Sequence, residues 1–379
     1  DGSYYETQNY AITESHEPGS TFKLMDLIAV LDDKKADTGT VYNSFGGEIQ
    51  YYGRRVRDSH KGGYGKISLA RGFEVSSNTV LVQSVYESYK NNPKQFVDRI
   101  NSYGLNKPLG LPIKGEGIPV IPQPGTNRWS GVSLPWMAFG YGLSVTPLQT
   151  LTLYNAVANN GVMVKPIFVS EIKEWNKTIK KFDTQVINPT ICTQETLDKV
   201  HAVLENVVRK GTGSKLYSKD FSMAGKTGTA QVNYKDKSKL YYASSFVGYF
   251  PADEPKYSCI VVVHKPNVAA GYYGADVAGP VFKRIAQKIF TDSPSTNHVK
   301  NINAKVVSQE KNYSEYYKKV EKEERIVPNV KGMDGMDAVA LLENLGLKVK
   351  VIGVGRVKKQ SLTSGQAFNK NQTIIIELS

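Results

Sequence analysis

The sequence predicts an α+β protein: an antiparallel sheet flanked by helices, followed by a small α+β module. Three observations predict it. From Asp1 to about Phe290, helical and strand-like patterns alternate between Gly and Pro punctuation. Three strand-like runs, rich in β-branched and aromatic residues, lie close together near residues 223–263, a spacing that implies antiparallel pairing. After residue 290 the composition turns polar and charged, and then a fresh helix-and-strand pattern begins. At 379 residues the chain has room for one large core and one small one.

Each element has its own signal. EPGSTFKLM, Glu17 to Met25, sets a Pro-Gly turn before Ser20 and an apolar pair, which is how an ordinary capped helix begins. The same stretch puts Lys23 one helical turn after Ser20, within reach of its hydroxyl, so the serine reads equally as a nucleophile with Lys23 as its base. Spacing alone does not choose, because S-x-x-K recurs at Ser170 to Lys173 and at Ser308 to Lys311. TPLQTLTLYNAVANNG, Thr146 to Gly161, is a helix: Thr146 caps it, Pro147 takes its first turn, Leu151, Leu153, Ala156 and Val157 form its apolar face, and Asn160-Gly161 ends it. A second helix is expected over residues 193–208. Strands follow near Met223 to Val232, Ser244 to Phe250 and Ser258 to Val263. Residues 291–325 read as a linker whose charge run SEYYKKVEKEER suits a short helix. The last unit, residues 326–379, places Ala338, Leu341, Leu342 and Leu345 at helical spacing, stops at Gly346, and alternates as strands in LKVKVI and TIIIEL.

Composition narrows the function. A net charge of +13 favours an anionic partner, yet the charge is dispersed, and no basic helix, zinc-finger spacing or RNA-binding aromatic signature argues for nucleic acid. Cys192 and Cys259 permit one disulfide without arguing for it, and read as inert thiols. No run of 18 apolar residues and no signal peptide is present, so this chain by itself carries no membrane span. It opens without a methionine, which reads as a trimmed fragment whose targeting segment lies elsewhere. His16-Glu17 begins like a zinc motif, but position 20 is Ser20, and His60, His201, His264 and His298 are scattered, so neither metal nor cofactor is expected. Trp129 and Trp136 read as packing, and the glycine-rich KGTGSK after a helix reads as a turn.

Three remote stretches carry the chemistry together: EPGSTFK with Ser20 and Lys23, EVSSNTV with Ser76 and Asn78, and MAGKTGTAQV with Lys226, Thr227, Gly228 and Thr229. S-x-N recurs at Ser295 to Asn297, whereas K-T-G occurs once and starts a strand. A serine needs a base, and a lysine is one only when its ammonium is destabilised, here by burial and by a second cation, Lys226. Ser76 would relay a proton to a leaving amine, and Asn78 would hold Lys23 and a substrate carbonyl. Gly228 would clear room for a substrate backbone along the strand edge, backbone N–H groups of Ser20 and Thr229 would form an oxyanion hole, and the hydroxyls of Thr227 and Thr229 with Lys226 would suit a carboxylate.

On these motifs, together with FGYGLSVTPLQ, SFVGYFPADEPKY and YYGADVAGPVFKRI in the same order, the chain resembles the class B penicillin-binding proteins, monofunctional D,D-transpeptidases that cross-link peptidoglycan. The resemblance covers most of residues 1–290. It implies the penicillin-binding-protein and serine β-lactamase-like fold, with an added all-helical region, and Ser20 as the acylated nucleophile with Lys23 as its base. It also implies peptidoglycan stem peptides as substrates, β-lactam antibiotics as ligands, and membrane-embedded glycosyltransferase and division proteins as partners. VPNVKGM, AVALLENLGL and SGQAFNKN make residues 326–379 resemble a PASTA module, which points to a septal role. Two departures stand out. The middle motif is Ser76-Ser77-Asn78 rather than S-D-N. The family also places strands, a membrane-anchoring helix and a pedestal domain upstream, where only nineteen residues precede Ser20 here. Full length would thus be anchored in the cytoplasmic membrane with its catalytic domain outside the cytoplasm. Two alternatives share the motifs: a serine β-lactamase or D,D-carboxypeptidase, and a non-catalytic wall-binding sensor.

Overall fold

The computed structural model describes residues 8–292, apart from 176, 235, 237 and 270, together with residues 325–379. The expected linker helix, Ser295 to Asn297 and Ser308 to Lys311 lie outside the described residues. Contacts divide the chain into two compact units, residues 1–294 and 295–379.

In the first unit the central helix is α1, Lys23–Asp32, in which every residue from Lys23 to Leu31 is buried. The sequence KLMDLIAVL is apolar all round apart from Lys23 and Asp26, and a helix of that kind belongs in a core. Around it stand α2, Leu69–Glu74, α3, Asn78–Tyr89, and α4, Pro93–Ser102. A small hairpin, β1 Glu48–Tyr51 and β2 Arg54–Arg57, delivers Arg57 and Asp58 to the start of α3. Helix α5, Pro147–Ala158, has the expected start: Thr146 Oγ1 accepts from Gln149 N at 3.1 Å, and Gln149 Oε1 accepts from Thr146 N at 2.9 Å. It stops at Ala158 because Asn160 and Gly161 turn into positive φ. Helix α6 covers Gln194–Lys210, two residues beyond the expected end.

The three expected strands are present: β3 Ala224–Val232, one residue shorter than expected, and β4 Tyr241–Phe250 and β5 Tyr257–His264, both longer. They form one antiparallel sheet in the order β5-β4-β3, so the K-T-G strand is an edge. Alternation along β4 sorts its two faces. Val247 and Tyr249 enter the main core with α1 and α6, while Phe246 and Phe250 pack on Phe282 of α7, Gly274–Asp292, at ring centroids 4.7 and 5.6 Å apart. The expected packing role of Trp129 and Trp136 holds, as both lie against the main core. Both cysteines are free. Among the described residues no helix is long and apolar enough to cross a membrane.

The second unit has its own core, including Val327, Val330, Leu341, Leu342, Ile374 and Ile376. Helix α8, Gly335–Asn344, packs on a three-stranded sheet ordered β6-β8-β7, with β6 Lys348–Ile352, β7 Val357–Gln360 and β8 Thr373–Leu378. Strand β7 was not expected, because VKKQ lacks alternation, and a register shift between Val357 and Lys359 breaks its period.

Candidate active site

The nucleophile turn is built by close backbone contact. Residues Gly19–Thr21 form one turn of 3-10 helix leading into α1. Gly19 N donates to Gly140 O at 3.1 Å, and a Cβ on Gly140, whose φ is +84°, would lie 2.0 Å from Gly19 O. The glycine of FGYG is therefore required for the clamp. Tyr154 OH donates to Thr21 O at 2.9 Å from behind, and Glu17 Oε1 accepts from Gly142 N at 2.8 Å. Ser20 is partly exposed and lines a groove of about 610 Å³ with Ser76, Asn78, Thr212, Thr227 and Thr229.

Two buried amines converge on one hydroxyl. Lys23 Nζ donates to Ser76 O at 2.8 Å and to Asn78 Oδ1 at 2.7 Å, and more weakly to Ser76 Oγ at 3.3 Å. Lys226 Nζ donates to the same Ser76 Oγ at 2.8 Å and to Thr227 O at 3.1 Å. Sequence reasoning expected Lys23 to reach Ser20 directly; among the described residues Ser20 Oγ has no hydrogen-bond partner, and the lysine is drawn instead to the Ser76 loop. Ser76 has φ of 58°, unfavourable for a residue with a Cβ, and sits in a loop its neighbours over-determine. Asp58 accepts from Ser77 Oγ at 3.0 Å, Thr79 N at 2.9 Å and Thr79 Oγ1 at 2.9 Å, while Arg57 O accepts from Asn78 Nδ2 at 2.6 Å. That last bond leaves Asn78 Oδ1 for the lysine.

Burial pushes Lys23 down to about 7, against the opposing pull of Asp58 and Asp26. Lys226 is held well below the ordinary lysine value, first by burial and then by the charge of Lys23. Both amines are fully buried and desolvation is the first cause for each, so burial, rather than the second cation, takes the leading part that the expectation gave to Lys226.

The strand edge supplies the remaining groups. Gln231 N donates to Tyr141 OH at 3.0 Å, so the two-residue alternation turns the N–H groups of Thr229 and Thr227 to the same open edge. Thr229 Oγ1 accepts from Gly274 N at 3.1 Å, leaving its own proton to donate, and Thr227 Oγ1 shares a hydrogen bond with Thr212 Oγ1 at 2.7 Å. Gly228 differs from expectation. A Cβ there would meet Ser245 Oγ at 2.3 Å and Thr21 Cγ2 at 2.8 Å, so the space it leaves is filled by the packing of sheet on nucleophile turn and not kept for substrate. Sequence reasoning missed Asp58, Gly140 and Thr212. The turn KGTGSK carries Thr212 into the groove, and its only sequence signal was a threonine between two glycines shortly before K-T-G. Among the described residues no group of three His, Cys, Asp or Glu is placed to hold a metal.

The model of the penicillin binding protein transpeptidase domain matches residues 1–287. The chain belongs to that family. A PASTA domain model matches residues 325–379 of this penicillin-binding protein relative. Stage V sporulation protein D of Bacillus subtilis is 30% identical over 390 residues, covering 100% of this chain and 56% of that protein. Peptidoglycan D,D-transpeptidase FtsI of Escherichia coli K12 is 30% identical over 280 residues, 73% of this chain and 44% of the other. Penicillin-binding protein 3 of Mycobacterium tuberculosis superposes with a TM-score of 0.67 at 26% identity, over 76% of this chain and 66% of that one. The same protein complexed with ampicillin gives 0.66 at 26% identity, over 76% and 65%. The chain spans about half the length of the curated relatives it matches.

Proposed function

We propose that the protein is a D,D-transpeptidase that cross-links peptidoglycan stem peptides through an acyl-enzyme on Ser20. The observation that carries the reading is the convergence of Lys23 and Lys226 on Ser76, with Asn78 holding Lys23, beside an unpartnered serine hydroxyl at the open edge of a K-T-G strand. In the first step Lys23 Nζ takes the proton of Ser20 Oγ as that oxygen bonds to the scissile carbonyl carbon. The N–H groups of Ser20 and Thr229 receive the oxyanion, worth about 3 kcal/mol per donor. Ser76 Oγ passes a proton to the leaving amine and is resupplied by the lysine amine behind it. Asn78, Thr227 and Thr229 line the groove and hold the substrate, the last two at its carboxylate, while Lys226, expected there as well, is buried behind them against Ser76 Oγ. The amine of a second stem peptide then attacks the ester and frees Ser20.

The groove favours transfer over hydrolysis. Its two lining carboxylates are both paired, Asp58 with Ser77 and Thr79, and Asp276 with Lys215 Nζ at 2.8 Å, which supports this reading. β-Lactam antibiotics would acylate the same serine, as the ampicillin-complexed structural relative suggests. On this reading residues 1–290 are the transpeptidase domain, 291–325 a linker and 326–379 the PASTA domain. The full-length protein would be anchored in the cytoplasmic membrane, with catalysis outside the cytoplasm, in septal wall synthesis beside membrane-embedded glycosyltransferase and division proteins. The resemblance to FtsI supports the septal role.

The test is incubation with a fluorescent penicillin and mass spectrometry of the tryptic peptide containing Ser20. A long-lived adduct on Ser20, lost in Ser20→Ala, is expected. Rapid turnover would make the protein a β-lactamase or carboxypeptidase, and no adduct at all would make it a non-catalytic sensor.

A further inference from the structure

Asp26 lies one turn beyond Lys23 on the same face of α1, and it is the only aspartate among the described residues that is fully buried. Neither of its carboxyl oxygens has a hydrogen-bond partner. It makes no ion pair within 4.0 Å among the described residues, and its place in the first turn of α1 is the one local feature that favours an acid there. The polar groups packed around it are committed elsewhere. Tyr154 OH donates to Thr21 O, and Tyr89 OH to Ala29 O and Asp33 Oδ2. Beyond these the charged groups facing the pair are Asp58, from the loop after β2, and Lys226, from β3. An unpartnered buried acid is destabilising, and its one charged neighbour is the amine proposed as the catalytic base.

We propose that Asp26 is a positioning residue for acylation: from behind Lys23 it sets how strongly that amine holds the proton it takes from Ser20. Burial keeps the Asp26 carboxyl neutral at rest, well above the usual carboxylate range. When Lys23 accepts the serine proton, a cation forms one turn away, and the carboxyl behind it, which keeps its own proton, stabilises that cation through its dipole. The proton affinity of the site then belongs to Lys23, Lys226 and Asp26 jointly. This rests on Lys23 serving as the base of Ser20.

The experiment measures penicillin acylation rate against pH for wild type, Asp26→Asn and Asp26→Leu. Asp26→Leu should move the midpoint of the acid limb down and lower the alkaline plateau several-fold, while Asp26→Asn, which keeps a neutral carbonyl dipole there, should move both less. A folded Asp26→Leu variant whose Ser20 is still labelled with the midpoint unmoved would overturn the proposal while leaving the transpeptidase reading intact; adduct persisting in Ser20→Ala would instead sink that reading. Wild-type protein labelled with carboxyl-13C aspartate supplies a check that needs no variant. One aspartate should remain protonated above neutral pH and shift when Ser20 is acylated. If every aspartate titrates near the ordinary value of about 4, Asp26 has no such role.

Discussion

Two lysine amines can share the hydroxyl of Ser76 because the buried pair does not carry two full positive charges. Acylation needs Lys23 as the free amine, and its proton leaves near pH 7. The sign follows: the rate should climb through pH 7 and fall about tenfold per unit below it, as a stopped-flow profile with a penicillin would show. A flat profile between pH 5 and 8 would remove Lys23 from the role of base. Lys23→Met, which fills the same buried space without a charge, should slow acylation by about 10²- to 10⁴-fold and leave the melting temperature nearly unchanged. At this scale the side chains that the fold gathers at the groove were legible in the sequence, since Ser20, Lys23, Ser76, Asn78 and Lys226 are polar types in an unusual order. Asp58 was not, because an aspartate at the end of a hairpin looks like any solvated turn until the fold sets it beneath Ser77 and Thr79. Asp58→Asn should therefore slow acylation at least tenfold by loosening the Ser76 loop, read from the same adduct assay.

Elements differ in how locally they are encoded. Helix α5 was readable from Thr146 and Pro147 because its cap is made locally, and the structure adds Gln149, three residues on, as the partner that completes it. Thr146→Ala should cost about 1 kcal/mol, seen as a drop in melting temperature of a few degrees, with penicillin labelling retained. The contact between the FGYG loop and the nucleophile turn joins residues 121 positions apart and leaves no local trace (Gly19 to Gly140). Gly140→Ala places a methyl group against Gly19 O at a positive φ. It should destabilise by about 1–3 kcal/mol and also abolish rapid acylation, which a structural change elsewhere would not do. Retained labelling at wild-type rate would show that the turn holds its shape without the clamp. The hairpin β1–β2 was missed for the opposite reason: EIQY and RRVR are too short and too charged to announce strands.

At the scale of the whole molecule, two cores divide the chain. A protein ending at residue 292 should still form the Ser20 adduct, and residues 325–379 alone should melt cooperatively, though from a small core of modest stability. Circular dichroism melts of the two pieces would test this, and loss of labelling by the first piece would tie catalysis to the second. The sequence by itself determined the α+β class, the hydrophobic face of α5, the presence of α6, and the chemical types at the site, because these depend on neighbours within a turn or a strand. Only the tertiary structure decided that Lys23 reaches Ser76 and Asn78 before Ser20, that Gly228 makes room for Thr21 and Ser245, and that Asp26 is left without a partner. Those are distances between groups on separate elements, and packing sets them. The spacing of letters along one chain carries no record of which way two distant backbones turn to meet.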